Sequence, residues 1–339
     1  MKKILPTKYP IIHGWAHYAH LLLMLQGNPN SFEYIYSNYV QLYFGLERNE
    51  VRCDFYFQYP FTVGFFDKCN FILSNRRRKN VICNSKENIL AFIKEELKNN
   101  FFIRIFMDHK YIKSFSTNNH HHDCLIYGID EEYLYVADVF QKGIYSQQKI
   151  PIDEALNSIL NCNLSNEEDY MMGCVESYKV HDNIQYHFDL KNFNNQIVNY
   201  YNSVVPEYWT FFESSKINDY KFGLSIYNGI KSYIKNIIES NLEIDRRILY
   251  AVKDHKTMMC NRISYLQQHN ICSNPILSEM GIIYQELEKE IDEIIFLCLI
   301  YNRKIDDKYC NKIIKKIQEL YKKEKSILNK YITENKEKN

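Results

Sequence analysis

The feature that most constrains the fold is a pair of short β-prone runs around a turn. Residues 124–127 and 133–136 are apolar and aromatic, and residues 128–132 between them contain glycine and acidic side chains. Runs of this composition favour strands, and the residues between them are typical of a tight turn. The pattern therefore predicts an antiparallel hairpin in the first half of the chain.

The turn decides which polar side chains lie near each other. A symmetric turn centred on Asp130 places His122 directly opposite Asp138 and places His120 and His121 opposite apolar residues. Opposed residues in such a pair have Cβ atoms about 4.5–5.5 Å apart. At that distance a carboxylate can hold an imidazole in one tautomer and stabilise its protonated form. The register thus selects His122 from three consecutive histidines, whereas an uneven turn would shift the pairing.

Length and composition favour two globular domains. The chain has 339 residues, 46% hydrophobic and 24% charged, and its net charge of +1 does not point to nucleic acid or a membrane surface. The longest apolar run, residues 294–301, is far shorter than the roughly 18–20 residues that span a bilayer. The ten cysteines are scattered without a C-x-x-C pair, and the first residues lack a signal-peptide pattern. We therefore expect a cytoplasmic protein with free thiols.

A buried helix is predicted to begin near Trp15. The following ten residues read AHYAHLLLML, and a Gly-Asn-Pro sequence at residues 27–29 ends the pattern. In the second half, after about residue 186, apolar residues recur at helical spacing only. The second half is therefore expected to form a helical bundle.

Clustered histidines raise the question of a metal. His13, His17 and His20 are spaced by four and three residues, as on one face of a helix, and residues 120–122 are also histidines. However, His13 precedes the predicted helix, and neither an acidic residue on that face nor an H-E-x-x-H motif is present. We therefore predict no metal, and expect His17 and His20 to be partly buried with hydrogen-bonding partners.

The spacing around the hairpin resembles a known enzyme family. His122, Gly128 and Asp130 form H-x-x-x-x-x-G-x-D, and Asp138 follows sixteen residues after the histidine. This resembles the second half of papain-like cysteine enzymes of the bacteriocin-leader-peptidase type. It is closer to the non-proteolytic branch named for butirosin biosynthesis protein H, which transfers acyl groups from carrier-protein thioesters to amines. Further segments that resemble this branch are DHKYI at 108–112, DRR at 245–247, DHK at 254–256 and NRISYL at 261–266.

The resemblance implies an α+β fold. It predicts a papain-like catalytic domain with an antiparallel sheet in residues 1–185, followed by an all-α helical domain in residues 186–339. In this family the nucleophilic cysteine lies in the first turn of the first helix, where the helix N-terminus lowers the thiol pKa and backbone N–H groups can receive an oxyanion. Here that sequence reads Gly-Trp-Ala-His at residues 14–17, so Ala16 occupies the nucleophile position.

An alanine cannot form a thioester, and two explanations remain open. The chain is either a natural pseudo-enzyme that binds without reacting or a variant in which alanine replaces a cysteine at position 16. We favour the replacement, because an intact His–Asp pair would have little reason to persist in an inert protein. Pro10 also stands where the peptidase branch has a glutamine, so the second oxyanion donor is not identified.

The resemblance assigns a function to these residues. His122 is expected to be the base, Asp138 to orient it, and Trp15, His13 and His121 to contact substrate. The acyl chain would arrive on the phosphopantetheine arm of an acyl or peptidyl carrier protein, without any other cofactor, and a small amine or diamine would accept it. No nucleic-acid or membrane partner is expected. The alternatives are a cysteine peptidase that trims leader peptides and a non-catalytic acyl-binding protein.

One dense basic cluster occurs in the chain, at residues 76–79 (Arg-Arg-Arg-Lys). It is either a solvated loop or a docking site for an acidic carrier protein. Aromatic residues reach 15%, which is compatible with codon bias or with an aromatic-lined acyl pocket.

Overall fold

The structure is a computed structural model that describes residues 1–47, 50–56, 69–113, 121–141, 143–165, 168–205 and 219–336. It has an α+β fold and divides into two compact units. Unit 1 comprises Met1–Phe32 and Thr62–Gln185, and unit 2 comprises Glu33–Phe61 and Tyr186–Asn339.

Unit 1 is built on an antiparallel sheet, as predicted. The strands are β1 (Lys3–Ile4), β4 (Ile72–Arg78), β5 (Phe102–Asp108), β6 (His121–Ile129), β7 (Tyr133–Gln141), β8 (Ile144–Pro151) and β9 (Cys174–Val180). The main path of the sheet runs β4-β9-β5-β6-β7-β8, and β1 pairs with β6. The helices of this unit are α1 (Ala16–Leu25), α3 (Lys79–Ile82), α4 (Lys86–Lys98) and α5 (Ile152–Leu160).

Helix α1 begins where the sequence predicted. Trp15 is the N-cap in an extended conformation, and every residue from Tyr18 to Leu25 is buried. The helix packs against β7. It ends before Gly27, where a Cβ atom would lie 2.4 Å from the carbonyl oxygen of Pro6. The apolar run is thus a central layer over the sheet, ended by a position that only glycine fits.

Unit 2 contains long helices and a small sheet. The helices are α2 (Phe32–Ser37), α6 (Leu190–Asn202), α7 (Ile226–Ser240), α8 (Arg247–Gln268), α9 (Ile276–Lys304) and α10 (Asp307–Lys336). The strands are β2 (Leu42–Glu47), β3 (Glu50–Phe55) and β10 (Lys221–Phe222), in the order β10-β2-β3. The spacing of apolar residues from Met280 to Cys298 predicts a stripe that faces the core of the helical bundle. On α9 its members Met280, Leu287, Ile291, Ile294 and Cys298 are buried, and Ile283 is half-buried.

The predicted domain division is wrong for one segment. The division between residues 185 and 186 is present, but Glu33–Phe61 belongs to unit 2. The reason is that β2 pairs with both β3 and β10, so its backbone groups are satisfied within unit 2. The second half of the chain is also not purely helical as predicted, because Lys221–Phe222 is the strand that pairs with β2.

A buried ion pair lies inside unit 2. The ammonium of Lys256 lies 2.6 Å from Glu324 Oε1, and both side chains are fully buried. Tyr227 and Tyr284 donate their hydroxyls to Glu324, at 2.6 and 3.0 Å. Nearby, the guanidinium of Arg262 donates to the backbone carbonyl of Tyr36. The segments at 254–256 and 261–266 that resemble the acyltransferase family therefore contribute packed polar contacts inside this unit.

None of the helices in the described ranges is both long and apolar enough to cross a membrane.

Candidate active site

The turn of the β6–β7 hairpin is not symmetric. The Asp130 side chain accepts hydrogen bonds from the backbone N–H groups of Glu132 and Tyr133, at 2.9 and 2.7 Å. This moves the centre of the turn toward β7, and the strands pair Ile129 with Leu134 and Gly128 with Tyr135. The prediction that His122 lies directly opposite Asp138 is therefore wrong.

A β-bulge places His122 and Asp138 on the same face of the sheet, which the asymmetric turn alone would have prevented. The register shifts between Ile126 and Gly128, so Ile126 pairs with Val136 and Leu125 with Ala137. Near the turn, each residue of β6 pairs with a β7 residue three positions beyond the one predicted. Beyond the bulge, this displacement is two positions. An even offset keeps alternating side chains on the same face, whereas an odd one reverses them. His122 and Asp138 consequently share a face and meet diagonally.

The contact between this histidine and this carboxylate is present in the structure. His122 Nδ1 lies 2.6 Å from Asp138 Oδ1, with Asp138 fully buried and the His122 side chain 29% exposed. Burial disfavours the imidazolium, but the Asp138 carboxylate outweighs it and raises the pKa of His122 to about 9. Burial alone would raise the pKa of Asp138, yet His122 and His109 hold it well below its usual range. The pair is therefore charged at neutral pH.

The second oxygen of Asp138 has two further partners that the sequence did not assign. His109 Nε2 lies 3.0 Å from Asp138 Oδ2, and the Cys124 thiol donates to the same oxygen at 3.0 Å. Cys124 Sγ and His109 Nε2 are 3.6 Å apart. A signal for Cys124 was its position two residues from His122 on the same strand face. His109 lies in the DHKYI segment, which the resemblance included without giving it a role.

These three side chains are the group that could hold a metal among the described residues. One donor atom from each of His109, Cys124 and Asp138 lies within 4.8 Å of the others, and all three residues are buried. A histidine, a cysteine and a carboxylate can bind zinc. However, hydrogen bonds to a single carboxylate oxygen account for the observed separations without an ion. Burial and the neighbouring carboxylate raise the pKa of Cys124 well above that of an ordinary thiol, so this thiol is a poor nucleophile.

Helix α1 approaches the pair through His20. His20 Nε2 lies 3.1 Å from the carbonyl oxygen of Asp123, and His122 Nδ1 lies 3.2 Å from the same oxygen. His20 Nδ1 is 2.8 Å from the hydroxyl of Tyr145. Ala16 lies one helical turn before His20 and hence on the same face of α1. Position 16 is therefore on the face of α1 that presents His20 to the Asp123 carbonyl.

The start of α1 has backbone groups suited to an anion. The first helical hydrogen bond runs from Ala19 N to Trp15 O, and a helix presents the backbone N–H groups of its first turn at its N-terminal end. The first turn contains no acidic side chain. The positive end of the helix is therefore at the nucleophile position.

A buried charge network supports the strand that presents His122. Arg104 Nε lies 2.6 Å from Asp123 Oδ2, and its Nη1 lies 3.0 Å from Glu176 Oε2. Tyr170 donates its hydroxyl to Asp123 Oδ1. Burial alone would raise the pKa of Asp123, but Arg104 outweighs it and lowers the pKa to about 2. The carboxylate beside His122 is thus neutralised mainly by arginine.

The other predicted site residues have separate contacts. His121 Nε2 lies 3.4 Å from Asp108 Oδ2, and its Nδ1 lies 3.9 Å from Glu168 Oε1, away from Asp138. His13 contacts the ring of Tyr9, with centroids 5.7 Å apart. Trp15 is the N-cap of α1, next to position 16. His120 lies outside the described residues.

The basic cluster does not lie on a loop: Arg76, Arg77 and Arg78 end strand β4, and Lys79 begins helix α3. β4 is the edge strand of the sheet, where Arg76 lies 2.5 Å from Glu176 and Arg77 lies 2.8 Å from Glu96. Arg78 and Lys79 line an open cleft of about 610 Å³. Its other lining residues include Cys83, Cys162, Met172 and Cys174.

This cleft and the His–Asp pair lie at the same end of the sheet. Arg78 pairs with Cys174, and Phe106 pairs with Asp123. Arg104 pairs with Glu176, and the same register continued by two residues brings Phe106 beside Cys174. Arg78 and Asp123 therefore lie in one row across four strands. Adjacent strands are about 4.8 Å apart, which separates the two by roughly 14 Å.

The chain matches no protein-family model and no curated protein.

Proposed function

We propose that the protein is a papain-like acyltransferase that moves an acyl chain from a carrier-protein thioester to an amine. The observation that carries the proposal is the contact of 2.6 Å between His122 Nδ1 and Asp138 Oδ1. A helix N-terminus at position 16, on the helix face that also presents His20, supports it. A base, its orienting carboxylate and anion-binding N–H groups are the parts that nucleophilic acyl transfer needs. In this proposal, Ala16 replaces the cysteine that supplies the nucleophile.

The first half of the reaction transfers the acyl group to the enzyme. A thiolate at position 16 attacks the thioester carbonyl, and the N–H groups at the start of α1 receive the oxyanion. The carbon–sulfur bond to the carrier breaks, and the departing thiolate takes a proton from His122 and is released as the thiol of the carrier. Because Asp138 holds Nδ1, Nε2 is the nitrogen of His122 that exchanges this proton. The product is a thioester at position 16.

The second half forms the amide. The amine attacks the enzyme thioester while His122 Nε2 takes its proton, and the thiolate at position 16 leaves. The imidazolium that results is stabilised by Asp138 and is ready for the next cycle. No further cofactor is needed, because the thioester supplies the driving force.

The partner is proposed to be a carrier protein with an acidic surface. Arg76 and Arg77 are already paired with glutamates, whereas Arg78 has no ionic partner among the described residues. Arg78 and Lys79 could therefore bind a carboxylate of the carrier or the phosphate of its arm. Trp15, His13 and His121 are the proposed substrate contacts.

The acyl group and the amine are suggested only by resemblance. Within this family the closthioamide amide synthase joins two aryl acyl chains through a diamine, and the aromatic content of 15% is compatible with an aryl substrate. The ten cysteines are free, which fits a cytoplasmic enzyme.

A leader-trimming cysteine peptidase is the second candidate. It would use the same His122–Asp138 pair, but Pro10 stands in place of the peptidase glutamine. A non-catalytic acyl-binding protein is the third candidate, and it requires Ala16 to be the natural residue.

Mass spectrometry of the Ala16→Cys variant tests the proposal. Incubation with a carrier-bound acyl thioester is expected to add one acyl group at position 16, and the Ala16 protein is expected to remain unmodified. A double-glycine leader peptide is the competing substrate, and its cleavage would favour the peptidase. Acylation of a different cysteine would contradict the site assignment.

A further inference from the structure

Two histidines from different parts of the chain hold the two oxygens of one buried carboxylate. His122 Nδ1 contacts Asp138 Oδ1 at 2.6 Å, and His109 Nε2 contacts Asp138 Oδ2 at 3.0 Å. The imidazole centroids are 6.3 Å apart. A carboxylate only accepts hydrogen bonds, so His109 must donate through Nε2–H. The arrangement is a histidine–carboxylate–histidine chain.

The fold places His109 at this point by a short turn after β5. The Asp108 side chain accepts a hydrogen bond from the backbone N–H of Lys110 at 3.1 Å and caps the turn. The Ser158 hydroxyl donates to the Asp108 carbonyl at 2.8 Å. The ring of His109 stacks on Phe140, with centroids 5.3 Å apart. Backbone and ring are therefore both fixed, which is what a positioning group requires.

His109 itself cannot meet a substrate in this position. Its side chain is fully buried, and its Nε2 is already engaged with Asp138. His122, in contrast, is 29% exposed. The two histidines consequently differ in role, and only His122 is available to exchange protons with a bound molecule.

We propose that His109 is a positioning residue that acts on His122 through Asp138. It holds Oδ2 so that Oδ1 stays against His122 Nδ1, which keeps Nε2 of His122 free for the thiol and the amine. Without this donor the carboxylate can rotate about its Cβ–Cγ bond, since among the described residues the weakly donating Cys124 thiol is then the remaining partner of Oδ2. The catalytic consequence rests on the proposed acyl transfer, but the effect on His122 does not.

The test compares variants of His109 that differ in one donor. In His109→Gln, the amide nitrogen can occupy the place of Nε2 and donate to Asp138. In His109→Leu the hydrogen-bond donor to Asp138 is absent. In His109→Asn the amide is too short to reach the carboxylate. His109→Asn therefore replaces His109→Leu if the leucine variant does not fold. The first readout is the NMR titration and ¹⁵N tautomer shifts of His122 in the Ala16 protein, which requires no catalysis.

The direction in which the pKa of His122 changes distinguishes positioning of the carboxylate from a simple electronic effect on it. Loss of positioning weakens the His122–Asp138 pair, so the pKa of His122 should fall from about 9 toward 6.5 in His109→Leu and the neutral ring should become a mixture of tautomers. The other charged groups that act on His122, chiefly Asp123, are unchanged in these variants. If a donor merely withdraws charge from Asp138, its loss should raise the pKa of His122. A raised or unchanged pKa with one tautomer retained would overturn the proposal.

The second readout is acyl transfer in the Ala16→Cys background. His109→Leu should lower kcat about tenfold or more with little change in KM, a smaller loss than removal of the base itself, and His109→Gln should recover most of it. If no variant with Ala16→Cys transfers acyl groups, the proposed function fails while the NMR result still decides the role of His109. Equal losses in the glutamine and leucine variants would overturn the proposal, because a positioning donor must be replaceable by another donor.

Discussion

At the scale of single residues, the site converges on Asp138. A fully buried carboxylate is stable as an anion only when donors or cations satisfy its oxygens. Here His122 contacts one oxygen, and His109 and Cys124 contact the other. The side chain that looks like an accessory to His122 in the sequence is thus the centre of the network.

Alanine substitutions in the histidine tract test the role of His122. In the Ala16→Cys background, His122→Ala should lower the rate of acyl transfer by about 10²–10⁴ because it removes the proton-transfer group. His121→Ala is the comparison: His121 contacts Asp108 and Glu168 and is a proposed substrate contact, so its loss should raise KM and lower kcat much less than His122→Ala does. A tolerant His122 and a sensitive His121 would contradict the assignment.

A double-mutant cycle tests whether His122 and Asp138 act as a unit. Asp138→Asn should preserve the fold but leave the imidazole in the wrong tautomer, with a loss as large as that of His122→Ala. Steady-state rates of the double variant should then equal those of either single variant. Additive losses would show that the two residues contribute independently.

The pKa shifts of this pair also predict a pH dependence of stability. The folded pKa of His122, about 9, lies above 6.5, so its contribution is complete below pH 6.5 and is lost as pH rises through 9. The folded pKa of Asp138 is lowered, so its contribution is present above pH 3.8 and is lost on acidification. Urea unfolding between pH 6.5 and 9.5 should therefore show declining stability that Asp138→Asn flattens. A slope unchanged in Asp138→Asn would mean that the pair is not formed.

Residue patterns revealed only part of this network. The His122–Asp138 contact was predictable because both residues belong to one hairpin and share a face. His109 was not predictable, because a short turn brings it to Asp138 from 29 positions earlier in the chain. The exact opposition of His122 and Asp138 failed for a local reason, the hydrogen bonds of Asp130 in the turn.

At the scale of elements, local patterns predicted the strands and helices of unit 1 well. The sequence pattern predicts a strand from Cys174 to Val180 and a helix from near Trp15 to just before Gly27. β9 (Cys174–Val180) and α1 have almost these bounds, because each has strong local periodicity and a clear end. The sequence also predicts a helix from Ser31, as its N-cap, to about Phe44, and this prediction is wrong after Ser37, where α2 ends. Leu42–Glu47 is instead a strand that pairs with the adjacent β3 and with Lys221–Phe222, which lies far away in the sequence. Pairing within the sheet thus overrides the local helical preference.

The edge strand β4 provides a test of carrier docking. Arg78→Glu with Lys79→Glu should weaken turnover of carrier-linked thioester in a salt-dependent manner and leave a small free thioester nearly unaffected. Lys312→Glu with Lys322→Glu makes the same change of net charge on exposed residues of α10 and serves as the control. Steady-state rates with both substrates provide the comparison. Equal losses on both substrates would indicate damage to the fold and not a docking site.

At the scale of the whole molecule, the two units contain different kinds of buried charged groups. Unit 1 holds charges at a partly exposed site, whereas Lys256 and Glu324 in unit 2 are completely enclosed. The lysine is surrounded by tyrosine rings, with Tyr200, Tyr227 and Tyr284 centroids within 5.8 Å of its ammonium. Such a pair is fully satisfied and has a structural role.

Substitution of Lys256 tests that structural role. Lys256→Met should destabilise unit 2 by about 3–5 kcal/mol, because it leaves Glu324 buried without a counter-charge. Adding Glu324→Gln should recover much of the loss, since both charges are then absent. Denaturant unfolding followed by circular dichroism measures both variants, and an equal loss in the double variant would contradict the account.

The most direct test of the central claim follows the fate of an acyl group at position 16. The acylated Ala16→Cys variant is mixed with an amine or diamine, and intact-mass spectrometry records the adduct while chromatography records the product. We predict that the adduct disappears with formation of one amide per adduct, faster than it hydrolyses, and that His122→Ala greatly slows this transfer. An adduct that is lost only to water, at a rate independent of the amine and of His122, would contradict the claim that this protein is an acyltransferase.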